Sequence, residues 1–226
     1  MSEQVREMFT DISGKYDLLN DILSFGIHRF WRKKVVKLLD LKRETKVLDL
    51  ATGTGDLAFE MEKHADKIVG TDFCEGMLDV ARIKAKARKS NVQFGFADAM
   101  NLEFPDNSFD ATTISFGIRN VDNPTKCLSE MARVIKSGGK VCVLEFGQPH
   151  GVFSWFYKTY SRYIMPKLGK IFAGNASPYT YLPQTAAKFP CGDKFIEIMR
   201  STNAFTSSKA YKLTFGIAYI YIGVVK

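Results

Sequence analysis

The sequence is poor in the residue types that bind metals or form disulfides. Its 226 residues include three histidines and four cysteines, and the cysteines at positions 74, 127, 142 and 191 form no CxxC pair. Zinc sites need clustered thiolate or imidazole ligands, and disulfide frameworks are dense in cysteine. The sequence therefore predicts no metal site and no disulfide framework, and we expect a reducing cytoplasm as its compartment.

Long apolar runs are also missing. The longest run covers residues 217–225, whereas a spanning helix needs about 20 apolar residues. The chain does not open with the basic segment and apolar run that are typical of a secretory signal. We therefore expect a protein that is neither secreted nor membrane-spanning.

Acidic residues are absent from one long segment, residues 146–192. This segment contains eleven of the 29 aromatic residues and five cations, which are Lys158, Arg162, Lys167, Lys170 and Lys188. It could be a core-packed insertion, a nucleic-acid surface with stacking rings, or an interfacial segment at lipid headgroups. The net charge of +8 permits either polyanionic partner, nucleic acid or an anionic membrane surface. Of the three interpretations we favour the membrane surface, and we expect no nucleic-acid partner.

Length and composition predict one soluble globular domain, with 46% hydrophobic and 25% charged residues. We divide it into an N-terminal helical cover (1–41), a cofactor-binding core (42–146), an aromatic and basic insertion over the substrate site (147–192), and a C-terminal helix and hairpin (193–226). Ser24-Phe25-Gly26 should break the cover into two helices. The exposed face with Lys33, Lys34 and Lys37 is interpreted as solvated, with membrane contact as the alternative.

The most informative stretch is an apolar run followed by a glycine turn, Lys46-Val-Leu-Asp-Leu-Ala-Thr-Gly-Thr-Gly-Asp-Leu-Ala58. It predicts a buried parallel strand that turns sharply into a helix, and the glycines leave room for a ligand against the backbone. Gly53, Gly55 and Ala58 satisfy a loose dinucleotide pattern. A purely structural turn remains an alternative for this pattern alone.

Carboxylates around the turn indicate which ligand it binds. A diphosphate at this helix start would be repelled by Asp49 and Asp56, whereas S-adenosylmethionine has no phosphate and carries two cationic groups. The next predicted strand ends in Asp72, which can accept hydrogen bonds from both ribose hydroxyls. These residues favour an S-adenosylmethionine-dependent methyltransferase with a class I, Rossmann-like α/β fold.

Strands and helices alternate five times, and each predicted strand has polar residues at its carboxyl end. These residues are Asp49, Asp72, Asp98, Ser115 with Arg119 and Asn120, and Glu145. Open parallel sheets bind ligands at that edge. The five strand ends therefore predict one site.

Several longer blocks are more specific than the glycine turn. They are Asp49-Leu-Ala-Thr-Gly-Thr-Gly-Asp-Leu, Asp72-Phe-Cys-Glu-Gly-Met-Leu, Ala97-Asp-Ala, Phe104-Pro-Asp-Asn-Ser-Phe-Asp110, Ile114-Ser-Phe-Gly-Ile-Arg-Asn-Val121, Leu144-Glu-Phe and Lys15-Tyr-Asp-Leu-Leu-Asn-Asp-Ile-Leu-Ser-Phe-Gly-Ile-His28. In these blocks the chain resembles the ubiquinone/menaquinone biosynthesis C-methyltransferase family over nearly its whole length.

The resemblance implies a seven-stranded, mostly parallel sheet with an antiparallel last strand. It also implies methyl transfer from S-adenosylmethionine to a ring carbon of a polyprenylated quinol, with demethylmenaquinol to menaquinol as the favoured conversion. Family cofactor contacts would fall on Thr54, Asp72, Asp98, Ala99 and Ser115, to which the turn adds Asp49, Gly53 and Gly55. Family catalytic or substrate positions would fall on Tyr16, Arg119 and Asn120.

The resemblance also implies a location. A polyprenyl tail lies in the bilayer, so we expect a cytoplasmic protein associated peripherally with the inner face of the membrane. A homodimer is an assembly that the sequence allows. Two departures from the family pattern affect substrate detail: Gly147-Gln148 replaces Ser-Lys, and Phe215 replaces a glycine near the C-terminus.

The chemistry suggests roles for the polar residues. A quinol ring carbon becomes nucleophilic when a ring hydroxyl loses its proton, so we expect Arg119 to stabilise the phenolate and Asn120 and Tyr16 to orient the hydroxyl or a water. No histidine is an obvious base, and His28, His64 and His150 are interpreted as surface or capping residues. Alternatives are a nicotinamide oxidoreductase, a methyltransferase acting on RNA, DNA or another small hydrophobic substrate, and a non-catalytic cofactor-binding adaptor.

Overall fold

An inner strand of the sheet, β1 (Lys46–Leu50), is buried except at its first residue. The structure is a computed structural model, and it describes residues 3–149, 151–164, 167 and 177–226. The strand is apolar on both sides because helices cover both faces of the sheet, as parallel sheets require. The prediction of a buried strand before the glycine turn is therefore confirmed.

The seven strands pair in the order β3-β2-β1-β4-β5-β7-β6. The others are β2 (Lys67–Asp72), β3 (Gln93–Phe96), β4 (Phe109–Ser115), β5 (Ile135–Phe146), β6 (Phe205–Leu213) and β7 (Ala218–Val225). The first five strands pair in parallel, and β7 is antiparallel to both β5 and β6. The predicted mostly parallel sheet with an antiparallel last strand is confirmed.

Nine α-helices are described around this sheet. They are α1 (Glu3–Ile12), α2 (Tyr16–Ser24), α3 (Ile27–Leu39), α4 (Asp56–Glu62), α5 (Glu75–Arg88), α6 (Pro124–Arg133), α7 (Val152–Thr159), α8 (Ser177–Lys188) and α9 (Asp193–Ser201). A π-helical turn, Tyr160–Ile164, follows α7. Among the described residues, no helix is long and apolar enough to cross a membrane.

Alternate residues of the strands feed two hydrophobic clusters. Leu48 and Leu50 pack in the cluster that contains the buried sides of α6 and α9. Val47, one residue along, packs in the cluster that contains the buried sides of α3 and α4. This alternation follows from the two-residue period of a strand, and it places the five carboxyl ends at one edge between the layers.

The N-terminal region differs from its prediction in one respect. Ser24-Phe25-Gly26 separates two helices as expected, but α1 is a third helix, which a 3₁₀ turn over Ser13–Lys15 separates from α2. The expected hairpin is present: it begins at Phe205, and Thr214–Gly216 form its turn.

The Gly147-Gln148 departure has a local packing explanation. A side chain at Gly147 would approach the Tyr219 ring within 2.6 Å and the carbonyl oxygen of Gly216 within 2.7 Å. The Gln148 amide donates to the carbonyl oxygens of Ala187 at 2.8 Å and Phe189 at 3.1 Å. Glycine therefore admits the tyrosine ring, and glutamine binds free carbonyls at the end of α8.

Candidate active site

Two adjoining cavities open at the carboxyl edge, where the strand order reverses between β1 and β4. The larger has a volume of about 340 Å³ and the smaller about 80 Å³. Six residues line both: Phe9, Tyr16, Ala51, Gly53, Ser115 and Phe116. This switch point is where open α/β sheets bind their ligands.

The glycine turn forms part of the wall between the cavities. Gly53 and Gly55 have φ angles of 56° and 84°, which glycine adopts without steric cost. A Cβ atom at Gly55 would lie 2.8 Å from the Phe94 ring and 2.9 Å from the Phe59 ring, whereas the space beside Gly53 is open. Gly55 lines neither cavity and shapes the turn, while Gly53 faces the space where a ligand would lie.

Asp49 lies buried beneath the turn and lines the larger cavity. Its Oδ2 accepts a hydrogen bond from the Thr52 hydroxyl at 2.7 Å, and its Oδ1 accepts one from the Thr113 hydroxyl. Burial raises the pKa of Asp49 to about 6, although both hydroxyls act against this rise. The carboxylate therefore gains from a cationic ligand group next to it.

Asp72 joins the glycine turn to the end of β2. Its Oδ2 accepts from the Gly53 amide and its Oδ1 from the Cys74 amide, both at 2.8 Å. Burial raises the pKa of this carboxyl, and these backbone donors oppose the rise. Each carboxylate oxygen has a second lone pair, so Asp72 can still accept from ligand hydroxyls in the smaller cavity that it lines.

The remaining predicted cofactor residues meet at the same cavity. Asp98 and Ala99 line the smaller cavity, and Asp98 Oδ1 accepts from the Met100 amide at 2.9 Å. Ser115 lines both cavities, and its buried Oγ has no hydrogen-bond partner within the described part of the chain. An unsatisfied buried hydroxyl is costly, and a bound ligand could provide the missing partner.

Thr54 lines the larger cavity and also makes a contact with the N-terminal cover. Its hydroxyl donates to Asp17 Oδ1 of α2 at 2.5 Å, and Lys84 of α5 donates to Asp17 Oδ2 at 2.6 Å. Lys84 also bonds Asp56, whose other oxygen accepts from Arg32 at 2.6 Å. Burial alone would raise the pKa of Asp56, but Arg32 and Lys84 hold it below its usual value.

This network changes one step of the sequence argument. The case against a diphosphate treated Asp56 as an uncompensated negative charge, and two cations compensate it. The network also ties the N-terminal cover to the cofactor turn, because Asp17 and Thr54 belong to these two parts. The structure assigns this bridging contact to Asp17.

Arg119 and Glu145 form a buried ion pair beside the larger cavity. Arg119 Nη1 donates to Glu145 Oε1 at 2.8 Å and to the carbonyl oxygen of Phe116 at 2.5 Å. The guanidinium lies 5.4 Å from the centre of the Phe146 ring. Arg119 Nε is buried and has no hydrogen-bond partner among the described residues. It is therefore a donor that lacks an acceptor.

The other two predicted catalytic residues also lie at these cavities. Tyr16 lines both, and burial raises the pKa of its hydroxyl, opposed by a hydrogen bond with Asn20 and the charge of Arg119. Asn120 lines the smaller cavity, and its Oδ1 accepts from the Tyr181 hydroxyl at 3.1 Å. The predicted residues are thus brought together, except that Gly55 lies behind the wall.

Sequence reasoning missed two polar residues of the larger cavity. His28 was interpreted as a surface or capping residue, but it is buried and lines the cavity, with Nδ1 beside the Ser24 hydroxyl. Burial, assisted by Arg32, lowers the pKa of His28 to about 4. The signal for His28 was its place in a family-like block, whereas nothing local distinguished Arg32. His64 is exposed as expected, and His150 lies outside the described residues.

Part of the aromatic and basic segment contributes to the larger cavity. Tyr157, Tyr160 and Tyr181 line it, and the Tyr160 hydroxyl donates to the carbonyl oxygen of Leu23 at 2.8 Å. Trp155 and Lys167 are exposed. The side chains of Phe156 and Lys158 and all of Lys170 lie outside the described residues.

Comparison with known proteins agrees with this geometry. A model of the ubiE/COQ5 methyltransferase family matches residues 1–225. A ubiquinone/menaquinone biosynthesis C-methyltransferase from Bdellovibrio bacteriovorus is 49% identical, covering 99% of this chain and 97% of the relative. A demethylmenaquinone methyltransferase from Deinococcus radiodurans is 42% identical, covering 98% of this chain and 92% of the relative.

Solved structures share the fold at lower identity. A S-adenosylmethionine-dependent methyltransferase from Thermotoga maritima is 20% identical, with a TM-score of 0.66 over 97% of this chain and 99% of that chain. A Haloferax volcanii methyltransferase complex has a chain that is 16% identical, with a TM-score of 0.68 over 96% and 97%. These similarities support the class I methyltransferase fold.

Proposed function

This chain belongs to the ubiE/COQ5 methyltransferase family, and we propose that it transfers a methyl group from S-adenosylmethionine to a ring carbon of demethylmenaquinol. Its curated relatives support the substrate class, because their names describe demethylmenaquinone or ubiquinone/menaquinone C-methylation. A benzoquinol is the second candidate, since the name of the Bdellovibrio relative covers both quinones.

The observation that carries the proposal is the junction of the two cavities. The smaller one contains the acceptors Asp72 and Asp98, as recognition of a nucleoside needs, while the larger one has mainly apolar and aromatic walls. The same six residues line both cavities, so the two cavities adjoin each other. A ligand in each would therefore bring a methyl donor and an apolar ring together in near-attack geometry.

The residues present fit S-adenosylmethionine. The space beside Gly53 is open, Ser115 Oγ is buried without a partner in the described chain, and Asp49 presents a carboxylate to a cationic group. Asp72 would hold the ribose hydroxyls, and Asp98 and Ala99 would contact the adenine. When bound, the cofactor supplies an electrophilic methyl group on a sulfonium sulfur.

The protein's task is to make the ring carbon nucleophilic. The ring hydroxyl must lose a proton so that its electron pair can be delocalised to the carbon that forms the new bond. That carbon afterwards loses its own hydrogen as a proton, and the hydroxyl oxygen is protonated again, so the product is an aromatic quinol. Arg119 would donate from Nε to the resulting oxyanion, and Glu145 would hold the guanidinium in place through Nη1. Because Glu145 offsets the charge of Arg119, the arginine acts as an oriented donor more than as a free cation. Tyr16 would orient the hydroxyl or the water that accepts its proton.

The activity test uses purified protein, S-adenosylmethionine with a labelled methyl group, and demethylmenaquinol in detergent. We expect a labelled product that is one methyl group heavier by mass spectrometry, and slower or no product with a demethylated benzoquinol. Quinone profiles of cells with and without the gene give an independent measurement. Cofactor binding without methylation of either quinol would instead favour the adaptor or another small hydrophobic substrate.

The tail of such a substrate also supports a location. A polyprenyl chain partitions into the bilayer, so the proposal includes a cytoplasmic protein bound peripherally to an anionic membrane surface. The acid-free segment 146–192 supports this through its exposed Trp155 and Lys167 and through Tyr157 and Tyr160, which line the larger cavity. Charges near such a surface contribute about 1 kcal/mol each.

A further inference from the structure

Four phenylalanines outside the acid-free segment are more than half exposed: Phe96, at 57%, is on β3, and the other three lie on α3 or on turns next to it. Phe25 is 76% exposed, Phe30 71% and Phe215 59%. Single exposed apolar residues are ordinary on protein surfaces, whereas grouped ones mark interaction sites. The arrangement of these three rings around the larger cavity is therefore informative.

Phe25 lies at the mouth of the larger cavity. It occupies the turn between α2 and α3, and Ser24 and Ile27 on either side also line the cavity. Its ring is 5.9 Å from the Tyr160 ring, and Tyr160 bonds the carbonyl oxygen of Leu23. The turn is therefore packed against the first part of the acid-free segment, and the exposed ring of Phe25 continues that surface.

Phe215 occupies a second turn at the same cavity. Thr214 precedes it and Ile217 follows it closely, and both line the cavity. Trp31 of α3 donates from Nε1 to the Thr214 hydroxyl at 2.9 Å. Although the two phenylalanines are 190 positions apart in sequence, α3 links both turns to one opening.

The backbone at both turns is unfavourable for phenylalanine. Phe25 has a φ angle of 50° and Phe215 of 57°, in the left-handed region that glycine and asparagine favour. At position 215 the chain replaces the glycine of the family pattern by phenylalanine. Each turn therefore combines a strained backbone with an apolar side chain that is more than half exposed. Strain of this kind points to function.

Helix α3 supplies positive charge beside these rings. It contains five cations and no acidic residue, and Lys33, Lys34 and Lys37 are exposed. Phe25, Phe30 and Lys33 line one shallow surface depression together with Arg29, which binds Asp21 at 2.8 Å. The exposed face of α3 thus combines an aromatic ring with lysines, the pattern of helices that lie in a membrane interface.

We propose that Phe25, Phe30 and Phe215, with the lysines of α3, form a docking surface for the headgroup region of an anionic lipid bilayer. The rings enter the interface around the cavity mouth, and the lysines bind lipid phosphates beside them. A tail leaving the cavity then passes directly into the bilayer. This surface extends the proposed membrane contact beyond residues 146–192. The proposal rests on the proposed function in one respect: a polyprenylated substrate requires the mouth of the larger cavity to face lipid.

The chain offers a matched control on α5. Ile83 is 69% exposed, and Lys86 and Lys89 are exposed beside it. None of the three lines either cavity. Replacing one apolar side chain and two lysines on α3, and likewise on α5 with its C-cap residue Lys89, removes the same charge, and only the variant on α3 alters the proposed surface.

The experiment measures co-sedimentation of the full chain with vesicles of phosphatidylcholine and phosphatidylglycerol. The test variants are Phe30→Ser with Lys33→Gln and Lys34→Gln, and separately Phe215→Gly, which suits the left-handed backbone and should fold at least as well. We expect the triple variant to bind roughly tenfold or more weakly and Phe215→Gly several-fold more weakly. The control, Ile83→Ser with Lys86→Gln and Lys89→Gln, should bind like the unaltered chain.

Three outcomes would contradict the proposal that these residues form a lipid-docking surface. These are an unaltered chain that does not bind the vesicles, test variants that bind like the unaltered chain, and a control that loses as much binding as the triple variant. Ultracentrifugation without lipid adds a fourth: an unaltered dimer that becomes monomeric in the triple variant would make this face a subunit interface.

Activity assays separate this proposal from the proposed function. With a short-tailed, water-soluble quinol, the test variants should retain the unaltered rate, because their altered residues lie outside both cavities. With long-tailed quinol in vesicles, their rates should fall in parallel with binding. If the unaltered chain methylates no quinol, the proposed function fails, while vesicle binding still decides the docking surface.

Discussion

Arg119 and Glu145 form an ion pair whose side chains are only 4% and 0% exposed, with Nη1 and Oε1 2.8 Å apart. Glu145 is the last residue but one of β5, and Arg119 follows β4, so the pair joins the carboxyl ends of neighbouring strands. Both side chains have lost their hydration, which makes each dependent on the other. This interdependence leads to the first prediction.

Glu145→Ala should destabilise the fold by roughly 3–5 kcal/mol, because it leaves a buried guanidinium without its carboxylate. Denaturant unfolding of the unaltered and variant chains measures this difference. As a control, Asp66→Ala removes the partner of Arg43 in an exposed pair and should cost no more than about 1 kcal/mol. Equal effects of the two changes would show that the buried pair has no special weight.

Arg119→Ala should lower turnover much more than it weakens cofactor binding, because we propose that Arg119 Nε donates to the oxyanion of the substrate. Turnover comes from the labelled-methyl assay, and the dissociation constant comes from calorimetry. Arg119→Lys retains a charge but lacks the Nε donor, so it should restore little of the rate. Proportional loss of turnover and cofactor affinity would assign Arg119 to the cofactor or to structure.

Asp72→Ala should weaken S-adenosylmethionine binding about ten- to a hundredfold, because hydrogen bonds to a charged acceptor contribute roughly 1.5–3 kcal/mol. The change also removes the carboxylate that holds the Gly53 amide. Calorimetry measures the loss, and Asp79→Ala on the exposed side of α5 is the control. Tight NADH binding in place of S-adenosylmethionine would contradict the cofactor assignment.

Cofactor affinity should fall as the pH is lowered through about 6, because burial raises the pKa of Asp49 to about 6. Above that pH the carboxylate is charged and attracts the cationic cofactor, whereas below it protonation removes the attraction. The loss should approach tenfold for each pH unit. Calorimetry on the unaltered chain and on Asp49→Asn tests this, since the asparagine variant should lack this pH dependence. The same slope in both would exclude Asp49 as its source.

The sequence predicted the sheet edge well because that edge is encoded locally. Short apolar runs mark the buried strands, and parallel strands bring their carboxyl ends together. Asp49, Asp72 and Asp98 could therefore be placed at one edge of the sheet from the sequence alone. The positions of Tyr16 and Asn120 came from the resemblance, and the structure also places them at the cavities.

Local sequence patterns could not predict side-chain contacts between distant parts of the chain. The bond from Thr54 to Asp17 spans 37 residues and that from Lys84 to Asp17 spans 67, and no periodicity records such pairs. His28 looked like a surface residue because helical spacing alone did not show that α3 turns that side towards a cavity. The role of Gly147 likewise depends on Tyr219, which lies two strands away in sequence.

The bond between Asp17 and Thr54 also has a kinetic consequence. If the N-terminal cover must move away for the cofactor to leave, Lys84 must release Asp17. The carboxylate of Asp17 then becomes hydrated, while Lys84 can still pair with Asp56. Because salt screens the charges that have become solvated, the opening rate should rise with ionic strength. The residence time of the cofactor would then respond to salt through the pairing of Lys84 with Asp17, and exchange between turnovers would be set by α2.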